Sequence, residues 1–186
     1  MENESSSDAE LMARVGRNDM AALGLLAHRH QARVLSLAYR LLGDWHRAED
    51  VAQDTFLRVR RAAGAYEPQA KFTTWLYRIV HNLSMDQHRK VGASLLPLEA
   101  VEEPRTEDPS RDDPVEKAEL AERVRKAIAQ LPDRQRQVVV LHRYEGLSHV
   151  EIGEVTGWSK SAVESLLVRA YENLRKNLAQ FEDFSR

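Results

Sequence analysis

The sequence predicts an all-α protein made of two small helical domains joined by a flexible acidic linker, and three observations predict it. Apolar residues recur at helical spacing through most of the chain, and no stretch of useful length alternates with a strand period. The breaks between periodic stretches are short and carry Gly, Pro or capping residues. Four of the six prolines, Pro97, Pro104, Pro109 and Pro114, fall within residues 92–119, where helical periodicity fades.

Taken in order, the pattern predicts helices over residues 8–16, 20–42, 45–63 and 72–91, separated by Gly43-Asp44 and by residues 64–70. A second group is predicted over 114–130, 133–144, 148–156 and 159–180, punctuated by Pro132, Gly146 and Gly157. The domain boundaries expected are 1–91, a linker over 92–119, and 120–186. That linker holds 3 basic against 9 acidic residues. Like charges repel and proline removes backbone donors, so an extended tether is expected there.

Charge and composition exclude several classes of function. There is no cysteine, which removes disulfides, thiolate zinc sites and cysteine nucleophiles and fits a reducing cytoplasm. No apolar run reaches the roughly 20 residues of a membrane span, and the first residues are acidic and Ser-rich, so neither export nor membrane insertion is expected. The net charge of −2 conceals segregation: residues 1–91 carry 13 basic and 11 acidic groups, and residues 120–179 carry 10 and 7. Two mildly basic blocks on either side of an acidic strip can face phosphates although the whole-chain balance is negative.

On the helix 72–91, Phe72, Trp75, Leu76, Ile79, Val80 and Leu83 recur on one side, the expected core face. The opposite side carries Lys71, Thr74, Arg78, His81, Asn82, Met85, His88 and Arg89. Cations and amides there suit a phosphate backbone and base edges, although an ordinary solvated face has the same pattern. The loop before it combines Tyr66 with Lys71, an aromatic ring and a cation able to hold an unstacked base.

In the C-terminal block, Ser148-His149-Val150-Glu151 forms a capping box, Gly153 is small where a second helix can approach, and Ser159 or Ser161 caps the next helix. Val163, Leu167, Ala170, Leu174 and Leu178 make its apolar stripe. A short helix, a Gly turn and a longer helix form a helix-turn-helix, whose second helix enters the major groove by its first turns. Its outward residues are Lys160, Ser161, Glu164, Ser165, Val168 and Arg169. No catalytic constellation, metal site or cofactor is expected. His81, Asp86 and His88 stand at i, i+5 and i+7, which turns the carboxylate away from the imidazoles.

Three segments resemble one known family. Residues 48–57 (AEDVAQDTFL) resemble the sigma-factor segment that grips the clamp helices of the RNA polymerase largest subunit. Residues 72–82 (FTTWLYRIVHN) resemble the adjoining segment that recognises the minus-ten promoter element. Residues 131–178 resemble the domain that reads the minus-thirty-five element. Order, spacing and two-domain economy point to the extracytoplasmic-function (ECF, group IV) sigma factors.

The resemblance implies a non-enzymatic initiation factor with core RNA polymerase (beta-prime clamp helices and beta subunit), promoter DNA and an anti-sigma factor as partners. It implies a cytoplasmic protein that a membrane-bound anti-sigma factor can hold at the inner membrane. By position, Asp50, Gln53, Asp54 and Phe56 would meet polymerase. Tyr66, Lys71, Thr74, Arg78, His81, Asn82 and Arg89 would meet minus-ten DNA, and Ser159, Lys160, Ser161, Ser165 and Arg169 the minus-thirty-five element. Many relatives begin the recognition helix with a Thr-Val-Lys-Ser-Arg-like run, where this chain has Ala162-Val163-Glu164-Ser165-Leu166, so base preferences do not carry over at Ala162, Glu164 and Leu166. The linker is implied to thread through polymerase toward its active centre. Two other readings stay open: a helix-turn-helix regulator acting alone, which leaves the N-terminal block unexplained, and an all-α metal-dependent phosphohydrolase, which the His81, Asp86 and His88 spacing disfavours.

Overall fold

The computed structural model describes residues 6–67, 71–91 and 114–183. Its helices are α1 (Asp8–Val15), α2 (Met20–Leu42), α3 (Trp45–Ala62), α4 (Phe72–Val91), α5 (Pro114–Ala129), α6 (Asp133–Val139), α7 (His149–Thr156) and α8 (Lys160–Asp183). A 3-10 turn, Ala63–Ala65, follows α3, and a π-helical turn, Val140–Tyr144, follows α6. No strand occurs among the described residues. The chain divides into two compact units, the first centred on α1–α4 and the second on α5, α6 and α8. Of the expected linker, residues 92–113 lie outside the described residues.

Capping side chains set the helix starts in the first unit. Ser7 accepts from the Glu10 amide at 3.3 Å while the Ser7 amide donates to the Glu10 carboxylate at 2.7 Å, closing a capping box on α1. Asp19 accepts from the Ala22 amide at 3.1 Å to start α2, and Asp44 from the Arg47 amide at 2.9 Å to start α3. Gly43 ends α2 with φ 70°, a left-handed conformation that glycine adopts without a Cβ penalty. Helices α2, α3 and α4 then pack against one another, with α1 laid on α2. Their shared core includes Leu26, Val34, Leu37, Val51, Val59, Leu76 and Val80.

In the second unit α8 packs on α5 and α6. Asn177 donates to the Ala127 carbonyl at 3.1 Å and Asn173 to the Gln135 side chain at 2.8 Å, fixing the register of α8 on both neighbours. Buried Arg136 donates to the Ala129 carbonyl at 3.3 Å and to Asp133 at 2.8 Å, so it satisfies the end of α5 from the first turn of α6. Burial holds its pKa below the ordinary guanidinium value, and the Asp133 carboxylate opposes that shift. The single helix expected over 133–144 ends its α-helical part at Val139, and the chain widens into the π turn. Six consecutive buried residues, 136–141, sweep more than a full turn there.

Gly24 and Gly153 look alike in the sequence, each a glycine inside a helix, but their surroundings give opposite expectations. An added Cβ at Gly24 meets nothing within 4 Å, so Gly24→Ala should stabilise the protein by about 0.5–1 kcal/mol. At Gly153 the same atom would sit 2.8 Å from the Trp158 carbonyl oxygen. Displacing that turn costs about 1–3 kcal/mol, more than the gain in helix propensity. Urea unfolding followed by far-UV circular dichroism should move the two midpoints in opposite directions. A Gly153→Ala midpoint at or above the parent's would refute this account of the turn.

Candidate polymerase and promoter interfaces

The outer face of α3 is built from the positions that its core side leaves free. Val51, Thr55 and Val59 are buried at helical spacing, and Thr55 folds its hydroxyl back onto the Val51 carbonyl at 2.7 Å. Asp50, Gln53 and Asp54 consequently lie exposed within one turn of each other. Phe56, expected on this face, is half-buried at its edge. Leu57 instead is 50% exposed and sits between Gln53 and Asp54 in helical phase, an apolar centre that motif reading passed over. The face is therefore acidic and polar around one aliphatic side chain.

Helix α4 is more deeply embedded than its apolar stripe predicts. Phe72, Thr74, Leu76, Tyr77, Val80, His81, Leu83 and Ser84 are all buried. At about 100° per residue they cover an arc of roughly 200°, because α4 packs against both α2 and α3. Two of the expected DNA-facing residues are thereby corrected: Thr74 is 3% exposed and His81 5%. They stand at the far edge of the buried arc, where the second packing surface covers them. Trp75 and Ile79, expected in the core, are half-buried at the opposite edge. What remains open is a narrower stripe, Lys71, Arg78, Asn82 and Arg89, all exposed and spaced i, i+7, i+11 and i+18.

The loop aromatic is also placed differently from a free stacking platform. Tyr66 meets Trp75 edge-on with ring centroids 4.9 Å apart and Phe72 at 6.1 Å, and Phe72 in turn lies 5.2 Å from the His30 ring. His30 hydrogen-bonds Asp8 at 3.0 Å, and Asp8 also accepts from Arg29 at 2.6 Å. Burial and the Asp8 carboxylate push the Tyr66 phenol above its ordinary pKa. Near the C-terminal end of α4, Arg89 pairs with Asp86. A depression of about 380 Å³ there is lined by Asp54 and Arg58 of α3 and by Asp86, Gln87 and Arg89 of α4. The residues expected to meet polymerase and DNA thus adjoin at Asp54 and Arg89.

In the second unit the helix-turn-helix forms as the spacing predicts. Ser148 accepts from the Glu151 amide at 3.3 Å and its own amide donates to the Glu151 carboxylate at 2.9 Å. Gly157 takes φ 77° in the turn. Ser159, of the two candidate serines, caps α8 by accepting from the Ala162 amide at 3.2 Å, and its hydroxyl lies 3.1 Å from that of Ser161. Val163, Leu167 and Ala170 are buried. Ser159, Lys160, Ser161, Ser165 and Arg169 are all exposed. Glu164 lies 3.7 Å from the Lys160 ammonium and 3.4 Å from His149 of α7. Among the described residues no group of three His, Cys, Asp or Glu side chains is placed to hold a metal.

Known proteins carry the same two regions in the same order. Residues 26–93 match the family Sigma-70 region 2 and residues 121–174 match Sigma-70, region 4. The ECF RNA polymerase sigma factor SigW of Bacillus subtilis (strain 168) is 32% identical over 173 residues, 88% of this chain and 92% of that protein. The RNA polymerase sigma-H factor of Pseudomonas aeruginosa is 33% identical over 180 residues, 92% of this chain and 93% of that protein. Among solved structures, CnrH in complex with the cytosolic domain of CnrY has a TM-score of 0.65 at 29% identity, covering 97% of this chain and 100% of CnrH. With both regions matched in order and about a third of the residues shared across nearly the whole of such relatives, the chain belongs to the ECF RNA polymerase sigma factors.

Proposed function

We propose that this chain binds core RNA polymerase through the outer face of α3, contacts minus-ten DNA through the α4 stripe and reads the minus-thirty-five element with α8. The protein is an ECF sigma factor that directs promoter recognition, melting and transcription initiation under control of an anti-sigma factor. The single observation that carries the assignment of surfaces is that the core takes one arc of each helix and, Thr74 and His81 apart, leaves the named polar residues outside. Asp50, Gln53 and Asp54 remain open on α3, and Lys160, Ser161, Ser165 and Arg169 on α8. We further read the chain as a group IV factor with no catalytic activity of its own. It works in the cytoplasm, and a membrane-bound anti-sigma factor would hold it at the inner membrane. No described helix is long and apolar enough to cross a membrane.

An electrophoretic shift tests the reading against a regulator acting alone. The full chain should retard promoter DNA strongly only when core polymerase is present, and tight specific binding without polymerase would favour the lone regulator. In the polymerase-bound state, Lys160→Ala and Arg169→Ala should each lower the slope of log affinity against log salt by about 0.9 if the cation meets a phosphate. An unchanged slope together with unchanged sequence preference would remove α8 from the promoter.

The α3 face generates its own test. Asp50→Ala combined with Gln53→Ala should weaken core binding by about tenfold or more, as loss of interface anchors does, while stability changes by under about 0.5 kcal/mol because both side chains are exposed. Leu57→Ala should weaken it further. Titration of fluorescent chain with core polymerase reads both effects, and unaltered affinity in both variants would overturn the assignment.

The acidic linker is proposed to thread a cation-lined channel of the polymerase, its charge standing in for that of RNA. Replacing Glu102, Glu103, Glu107, Asp108, Asp112 and Asp113 with Ser or Asn keeps its length and removes six charges. In vitro transcription should then show weaker core binding and an altered yield of short abortive transcripts. Neither change would mean that the segment only sets distance.

A further inference from the structure

The outward surface of α8 differs from the cationic face that a major-groove helix usually presents. Buried Val163, Leu167 and Ala170 mark its inner side. Directly opposite, at i, i+4 and i+7, stand Ser161, Ser165 and Val168, two hydroxyls and an isopropyl group with no charge among them. The cations lie on the flanks, with Lys160 on one side of this strip and Arg169 on the other. Glu164 is drawn aside toward Lys160 and His149, at 3.7 and 3.4 Å. Val168 is 60% exposed, the most exposed large apolar side chain among the described residues.

A lone exposed apolar side chain needs no explanation by itself. This one is set apart by its position: it closes the uncharged outward strip on the third turn of α8, with Lys160 and Arg169 on the two flanks of that strip and Tyr171, 44% exposed, one turn further on. The chemistry of the groove then narrows the choice of partner. Valine neither donates nor accepts a hydrogen bond, and of the four bases only thymine offers an apolar group on the major-groove edge, its C5 methyl. Ser161 and Ser165 can bond to donors or acceptors and do not discriminate in this way. We propose that Val168 is a specificity-determining residue that reads a thymine methyl in the upstream promoter element. The proposal rests on the reading of α8 as the helix that enters that element.

The experiment uses the full chain bound to core RNA polymerase. Duplexes are selected by this complex from a library randomised upstream of the transcription start, and each thymine of the selected element is then replaced singly by deoxyuridine, which deletes only the methyl. One replacement should weaken binding of the parent protein by about fourfold, the contribution of one buried methyl group. Val168→Ala should bind that thymine and its deoxyuridine counterpart equally well while keeping its response to every other position. Val168 is 60% exposed, so circular dichroism should report an intact fold.

Two results would overturn the proposal and are distinguishable from each other. If the complex selects a defined element but no thymine responds to methyl removal, or Val168→Ala retains the response, α8 enters the groove without Val168 reading a methyl, and Val168 serves a protein partner or none. If selection yields no upstream preference and Lys160→Ala and Arg169→Ala leave the salt slope unchanged, the reading of α8 as a promoter helix fails together with the proposal.

Discussion

The double packing of α4 is the constraint on which the first unit depends. A helix lying on a single neighbour buries a stripe and leaves most of its circumference free. Because α4 is pressed between α2 and α3, it gives about 200° to the core, and the surface left for recognition is one file of four residues. A single file has a definite direction, so Lys71, Arg78, Asn82 and Arg89 point one way along nearly the full length of the helix. Side chains spread around a more exposed helix would meet a nucleic acid from several angles. The same embedding fixes α3, whose polar face is then held at a constant inclination to that file.

A second set of contacts secures the entrance to α4. Asp8 holds Arg29 and His30, His30 lies against Phe72, and Phe72 lies against Tyr66 and Trp75. Each contact is modest, on the order of 0.5–1.5 kcal/mol for an aromatic pair. Together they connect α1 to the loop that precedes the recognition file, so the packing of the first helix bears on the geometry of a segment almost sixty residues later. Tyr66 is thereby held in place by Phe72 and Trp75.

Much of this was legible in the sequence, and the exceptions have physical causes. The bounds of α2 and α4 follow from Asp19 and Gly43 and from the periodicity that begins at Phe72, and the Ser148–Glu151 box announces α7. The phase of α4 was not legible because an apolar stripe counts only apolar side chains. Ser84, Thr74 and Tyr77 carry polar atoms yet face the core, and nothing local to them reveals a second neighbour. On α3, adjacent Phe56 and Leu57 differ by about 100° in phase, and only the packed bundle shows which of them reaches solvent. The π turn after α6 has no signature residue and coincides with the end of the buried run 136–141. The outward positions of α8 were legible because its apolar stripe faces a single direction.

The attachment of Glu164 to Lys160 and His149 bears on how such a protein searches a genome. Attraction between an unpaired cation and the phosphate backbone is the same at every site, and it holds a protein on irrelevant DNA. Here a phosphate must compete with a carboxylate already beside Lys160, an exposed pair worth no more than about 1 kcal/mol. That is small against the contacts made together at a correct site, but it is a sizeable fraction of the one or two contacts that sustain a chance encounter. Lys160 of α8 thus has a carboxylate neighbour in the free chain, and any anion that approaches it meets that competitor first.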